Sequence, residues 1–221
     1  ANHRWLDRDA IAEAEPQLSG RFNRALMMTE EAHLDPRATL LGLRDRLAAR
    51  GVQFTTAPAA EGRIVDCTGL AARSALAELR GVKGEMMVLR APEITLTRPV
   101  RLLHPRFPLY IVPRGDGVFM LGATQIESGE RTRATVRSAM ELLSAAYALD
   151  PAFGEAELAE IGTDARPAFP DNLPRVTDLG GTLYVNGLFR HGFLLAPAMA
   201  RMAAEALESH AKPELWHEHH A

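Results

Sequence analysis

This sequence of 221 residues predicts a mixed α/β fold in which helix–strand units flank a β-rich middle. Helical periodicity with clear start and stop signals follows residue 34 and recurs near the C-terminus. Two apolar runs, Pro108–Pro113 and Val118–Thr124, surround the turn Arg114-Gly115-Asp116-Gly117. No internal repeat or low-complexity linker separates these parts, so two interleaved domains are expected instead of two beads on a string.

The elements follow in order. Asp7–Glu15 is a short helix with Asp7 as N-cap and Pro16 ending it, and Arg24–Thr29 is a strand. Leu34-Asp35-Pro36 starts a second helix, because proline suits the first helical position. Leu40, Leu43 and Leu47 share its spacing, and Gly51 stops it. Val52–Thr56 and Arg63–Cys67 read as strands. Glu85–Arg90 and the two runs around the turn argue for consecutive antiparallel strands. Thr135–Leu149 is an amphipathic helix that presents Val136, Met140, Leu143 and Tyr147 on one face. Leu158–Thr163 and Thr182–Asn186 are strands, and Pro197–Glu208 is the last helix.

Composition excludes several classes. Apolar residues make up 47% and charged residues 24%, which is globular and not disordered. Lys and Arg number 25 against 28 Asp and Glu, so no basic footprint for nucleic acid exists. The single cysteine, Cys67, rules out a disulfide framework and a cysteine zinc site, and it fits a reducing cytoplasm. No apolar run approaches the ~20 residues needed to span a bilayer, and no signal-peptide core opens the chain. A cytoplasmic protein without a membrane partner is expected.

Two arginines have the surroundings of a binding site. Arg166 lies at the end of a strand in D-A-R-P-A-F-P-D-N-L-P, where Pro167, Pro170 and Pro174 stiffen the loop. Arg190 lies between a strand and the last helix in V-N-G-L-F-R-H-G-F-L-L-A-P, where Gly187 and Gly192 permit close backbone approach. Paired arginines can clamp a carboxylate through bidentate forks. The plainer reading of either is a structural ion-pair partner. Tyr110 alternates with Leu109 and Ile111 and so faces the other side of its strand. It could cover a ligand, although a core tyrosine is the simpler reading. His217, His219 and His220 cluster in a polar C-terminal stretch that reads as a solvated tail, and His33, His104 and His191 have no partners at metal-ligand spacing. No metal site is expected. G-x-S-x-G, P-loop and G-x-G-x-x-G motifs are absent. Cys67, in an apolar strand-like segment, reads as an inert small hydrophobe.

Seven segments in order carry a resemblance. They are H-L-D-P-R (33–37), I-V-D-C-T-G-L-A-A-R-S (64–74), G-V-K-G-E-M (81–86), L-Y-I-V-P-R-G-D-G (109–117), L-G-A-T (121–124), A-R-P-A-F-P-D-N-L-P (165–174) and Y-V-N-G-L-F-R-H-G-F-L-L-A-P (184–197). From Glu31 to Leu207 the chain resembles the flavin-dependent amine and amino-acid oxidases of the D-amino-acid oxidase superfamily, and within it the glycine oxidases of thiamine biosynthesis. The resemblance implies a partial, Rossmann-like FAD-binding domain interleaved with an antiparallel-sheet substrate domain. Residues 1–34 and 83–160 would then belong to the substrate domain, and 35–82 and 161–221 to the FAD domain.

It also implies oxidation of glycine, sarcosine or small D-amino acids by FAD and O₂, giving, for glycine, glyoxylate, ammonia and H₂O₂. By motif position Arg166 would bind the substrate carboxylate, Tyr110 would be the active-site tyrosine, and Arg190 the arginine beside the flavin. The stretch Leu188, Phe189, Arg190, His191, Gly192, Phe193 and Leu194 would close over the isoalloxazine. Gln125 stands where the family often has a methionine near the substrate. A homotetramer is implied as well. The family opens with a strand, a G-x-G-x-x-G turn and a helix that hold the FAD pyrophosphate, and the resemblance places these, roughly the first third, outside this sequence. Two other readings stay open: a non-catalytic binding or structural module, and another amine dehydrogenase or oxidase on the same scaffold. Flavin absorbance separates the module from the enzymes.

Overall fold

The computed structural model describes residues 2–57, 61–103, 109–209 and 212–218. In chain order the elements are β1 (His3–Asp7), α1 (Arg8–Ala14), β2 (Arg24–Met28), α2 (Pro36–Ala49), β3 (Val65–Asp66), β4 (Arg80–Arg90), β5 (Val100–Leu102), β6 (Leu109–Pro113), β7 (Val118–Gly122), β8 (Ile126–Glu127), α3 (Val136–Leu149), β9 (Glu157–Ala168), β10 (Arg175–Leu179), β11 (Thr182–Asn186) and α4 (Gly192–Ser209). They form two compact units. Unit 1 comprises Ala1–Asp35, Gly84–Gln125 and Thr132–Thr163, and unit 2 comprises Pro36–Lys83, Ile126–Arg131 and Asp164–Ala221. The mixed α/β class with antiparallel sheets is as expected.

In unit 1, the Asp7 side chain accepts from the Ala10 amide at 3.0 Å and starts α1. β1, absent from the sequence reading, pairs antiparallel with β2. Leu6 is its single buried residue, so β1 exists through its partner and not through its own alternation. The larger sheet runs β5-β6-β7-β4-β8, with β9 also on β4. The expected hairpin joins β6 to β7, and Gly115, Asp116 and Gly117 all take positive φ there. A Cβ at Gly117 would come within 2.7 Å of the Pro92 backbone, so glycine is required at that corner. β4 begins at Arg80, five residues before the expected Glu85.

Helix α3 starts as expected, with the Thr135 hydroxyl accepting from the Ser138 amide at 3.2 Å. Of the expected face only Leu143 packs against the core, and the fully buried stripe lies elsewhere on the helix. Val136 is 77% exposed, Met140 64% and Tyr147 56%, while Ser138, Leu142, Ala145, Ala146 and Leu149 are buried. The buried stripe is rich in small residues, which let the helix axis approach the sheet closely; the bulkier stripe does not fit there. The core joins Leu142 and Leu149 to Leu89, Ile111 and Leu121, and Phe119 meets Phe153 edge-on at 5.5 Å between ring centres.

In unit 2 the sheet order is β10-β11-β3. β10 and β11 form an antiparallel hairpin through Gly180-Gly181, both at positive φ, and β11 pairs parallel with β3. The expected strand Arg63–Cys67 is reduced to Val65–Asp66. The expected strand Val52–Thr56 does not form. The Val52 amide donates to Leu47 O at 3.1 Å, which spends on the end of α2 the donor a ladder would use. Val176, Leu183, Met199 and Met202 form one core between sheet and α4, and Leu76, Leu79 and Phe169 form another.

The segment around Trp216 covers the outer edge of β10. Val176 N donates to Leu215 O at 3.0 Å, and His217 N to Val176 O at 2.9 Å. His217 is therefore held against the sheet and is not the solvated tail the sequence suggested; His104, His219 and His220 lie outside the described residues. The other edge, β3, has no further strand among the described residues. α2 has no buried side chain, with Leu40, Leu41 and Leu43 each more than half exposed, and Val52, Phe54 and Ile64 are exposed as well. Among the described residues no helix is long and apolar enough to cross a membrane.

Asp150 anchors unit 1. It is fully buried and accepts from Gln17 Nε2 at 2.5 Å, Arg21 Nη2 at 2.7 Å and the Ala152 amide at 3.0 Å. Asp150→Ala should therefore destabilise the protein by about 2 kcal/mol, since hydrogen bonds to a charged group contribute ~1.5–3 kcal/mol each in favourable cases and Arg21 is partly hydrated. Urea unfolding measures it. A loss below about 0.5 kcal/mol, the range of ordinary surface changes, would show that the N-terminal segment is held by packing alone.

Candidate functional site

Unit 2 gathers three backbone segments. The first is the turn after β3, where the Asp66 carboxylate accepts from the Thr68 amide at 2.8 Å and its hydroxyl at 2.7 Å, and Gly69 takes φ +63°. The second is the end of β9, which carries Arg166 and Pro167. The third is the stretch from Gly187 to His191 between β11 and α4. Gly69 packs on the second, since a Cβ there would lie 3.6 Å from Pro167 Cγ. The third is tied to the second by a hydrogen bond from Phe189 N–H to Pro167 O at 3.0 Å.

Arg166 and Arg190 are thereby carried on hydrogen-bonded neighbouring segments. Arg166 is half-buried and Arg190 exposed. Arg166 lies at the end of a strand, as expected, with Pro167 and Ala168 still in β9 and the proline-rich loop beginning after them. Two residues earlier, Asp164 is paired with Arg131 at 2.6 Å, and this guanidinium holds its carboxyl below the usual carboxylate range. Phe189 adopts φ +49°, and α4 starts at Gly192, five residues before the expected Pro197. The Leu195 amide already donates to His191 O at 2.8 Å, so the helix is turning before the proline. Gly192, Phe193 and Leu194 occupy its first turn, and a Cβ at Gly192 would meet nothing within 4 Å.

Cys67 differs from expectation. It is exposed and follows β3 instead of packing within a strand. Partial burial of the thiol and the neighbouring Asp66 charge push its pKa up, so it stays protonated near neutral pH. Among the described residues no group of three or more His, Cys, Asp or Glu is placed to hold a metal.

Tyr110 and Gln125 belong to unit 1. Leu109 and Ile111 are buried and Tyr110 is half-buried on the opposite face, as alternation requires. Its partner across β7 is Gly122. A Cβ at Gly122 would come within 2.5 Å of the Tyr110 oxygen, so the phenol ring lies over a position where only glycine leaves room. Gln125 is exposed at the end of this stretch. Next to it, the fully buried Glu85 accepts from the Thr124 hydroxyl at 2.8 Å and from the Thr135 amide at 2.9 Å, fixing the segment between β7 and α3.

Gly122, Glu85 and Asn186 are the supports that sequence reasoning passed over. Asn186 is buried at the end of β11. Its Nδ2 donates to Gly69 O at 2.9 Å, and its Oδ1 accepts from Gly187 N at 2.8 Å. A carboxylate in an apolar strand and an asparagine before a glycine were the available signals.

Comparison with known proteins places this arrangement. The model for FAD dependent oxidoreductases matches residues 1–206. A Rhizobium etli protein provisionally named thiamine biosynthesis oxidoreductase ThiO is 55% identical over 216 residues, covering 95% of this chain and 66% of its own length. A Bacillus licheniformis glycine oxidase is 25% identical over 233 residues, covering 92% of this chain and 62% of its own. The crystal structure of a Bacillus cereus glycine oxidase superposes with a TM-score of 0.80 at 22% identity, covering 97% of this chain and 67% of that one. The chain thus spans just under two thirds of the length of these curated relatives. It belongs to the FAD-dependent oxidoreductase family typified by D-amino-acid oxidase.

Proposed function

We propose that this chain supplies the substrate-binding and flavin-facing parts of an FAD-dependent oxidase that deaminates glycine, with sarcosine and small D-amino acids as related substrates. For glycine, water and O₂, the products are glyoxylate, ammonia and H₂O₂, serving thiamine biosynthesis. The carrying observation is the bond from Phe189 N–H to Pro167 O, which joins the Arg166 and Arg190 segments beside the start of α4.

The residues present suit the flavin. Gly69 and Gly187 take positive φ, the backbone at Gly187 has no room for a side chain, and the start of α4 at Gly192 is open. The stretch from Leu188 to Leu194 would hold the isoalloxazine side, with the amides at the start of α4 favouring negative charge. When bound, FAD supplies the two-electron acceptor. The remaining work falls to the chain. Arg166 holds the substrate carboxylate through a charge-assisted fork, and Arg190 adds positive charge beside the ring. In unit 1, Gly122 sets the Tyr110 hydroxyl, which resemblance to the family makes a candidate substrate group, as it does the exposed Gln125. Among the described residues the apolar side chains of α2 are uncovered and the outer edge of β3 is unpaired, which supports a further role for unit 2, docking the part of the enzyme that matches the relatives' remaining length.

In the complete, flavin-loaded enzyme, Arg166→Ala should raise KM for glycine roughly ten- to a hundredfold, with much less effect on amines that lack a carboxylate, because a charge-assisted bond contributes ~1.5–3 kcal/mol. Unchanged glycine kinetics would remove the carboxylate assignment. Gly122→Ala should displace the Tyr110 ring and lower kcat/KM by about tenfold, a barrier change of ~1.4 kcal/mol, while Tyr110→Phe leaves the melting temperature near wild type. If Gly122→Ala kinetics match wild type, Tyr110 belongs to the sheet and not to the site. The 221-residue chain mixed with FAD should bind it weakly by titration calorimetry. A polypeptide covering the unmatched part of the Rhizobium etli relative should restore a yellow, stoichiometric complex that glycine bleaches without oxygen. Tight FAD binding by the chain alone would place the pyrophosphate contacts within these 221 residues.

A further inference from the structure

We propose that Asn186 is the positioning residue of this site: its side chain registers the loop that carries Arg190 against both the turn at Gly69 and the strand end that carries Arg166. The inference rests on the function proposed above. Asn186 is 2% exposed, so water cannot substitute freely for its partners. It donates to Gly69 O at 2.9 Å and accepts from Gly187 N at 2.8 Å, so one amide group spans two of the three segments. The third is bound in through the same residues. Gly69 packs on Pro167, and Phe189, two residues after Gly187, donates to Pro167 O.

An amide is the side-chain group suited to this place. It offers a donor and an acceptor from one planar unit, whereas aspartate would turn a second acceptor towards the Gly69 carbonyl. A leucine of similar volume would satisfy neither backbone group. The β11 backbone ends at Asn186, so the side chain extends the order of the sheet into the loop beyond it. Asn186 touches neither substrate nor cofactor in this account. It acts on Arg166 and Arg190 through the backbone.

The test compares Asn186→Leu, Asn186→Asp and Leu183→Ala, the last a core truncation on the same strand with no bond to the loop. Hydrogen exchange of the 221-residue chain is read at the amides of residues 187–189. We expect exchange about tenfold or more faster there in Asn186→Leu, relative to any global change, the scale of one lost buried hydrogen bond. Asn186→Asp should keep the Gly187 amide protected while loosening residues 69–71, and Leu183→Ala should shift all protected amides of the unit together. In the flavin-loaded enzyme, Asn186→Leu should raise KM for glycine about tenfold with kcat within about threefold, since the clamp and not the chemistry is disturbed. Wild-type exchange at 187–189 in Asn186→Leu overturns the proposal, as does a loosened loop with unchanged KM. Should the loaded wild-type enzyme leave glycine unoxidised, the glycine reading fails, and the exchange comparison by itself decides whether Asn186 sets the loop.

Discussion

There is no room for a side chain at position 187. A Cβ there would lie 2.3 Å from Phe169 Cδ2, and the backbone sits at φ +82°. This crowding sets the path of everything that follows β11. The chain must turn tightly against Phe169, which brings the Phe189 amide onto Pro167 O and delivers Arg190 immediately before α4. Phe169 itself is buried in the core with Leu76 and Leu79, so the turn is pressed against a rigid wall and not against a mobile loop. A binding group placed this way loses little conformational freedom when a ligand arrives.

The elements that were legible in the sequence are those with chemical punctuation. Asp7 before α1, Pro36 and Gly51 around α2, the glycines between β6 and β7, and Thr135 before α3 each act on the adjacent backbone. Their signals are local, and so they survive folding unchanged. β1, β5, β8 and β10 had no such signal, because each is a strand by virtue of its neighbour. Val52–Thr56 shows the converse: an alternating pattern without a partner stays outside the sheet. The face of α3 was misjudged for a related reason. Helical spacing suggested the stripe through Val136, Met140, Leu143 and Tyr147, of which Leu143 alone packs on the core, whereas the fully buried stripe runs through Leu142, Ala145, Ala146 and Leu149.

The candidate site divides along the same line. Arg166, Arg190 and Tyr110 could be named from the glycines, prolines and alternation around them and from family resemblance. Their supports could not, since Gly122 matters only opposite Tyr110, Glu85 only beside Thr124 and Thr135, and Asn186 only where Gly69 comes close. Cys67 belongs with these. Its character depends on partial burial of the thiol, on Asp66 and on the shortness of β3, which hydrophobicity alone does not reveal.

The sheet of unit 2 also carries a sequence of events in time. β10 and β11 are joined by two glycines, so their pairing closes a very short loop and belongs to the microsecond class of hairpin formation. β3 meets β11 over only two residue pairs and from a distant part of the chain, so its docking requires a large loop to close for little return. The hairpin is therefore the template and β3 the late arrival. Until β3 docks, the exposed side of β11 is the edge at which unfolded chains would pair with one another during synthesis.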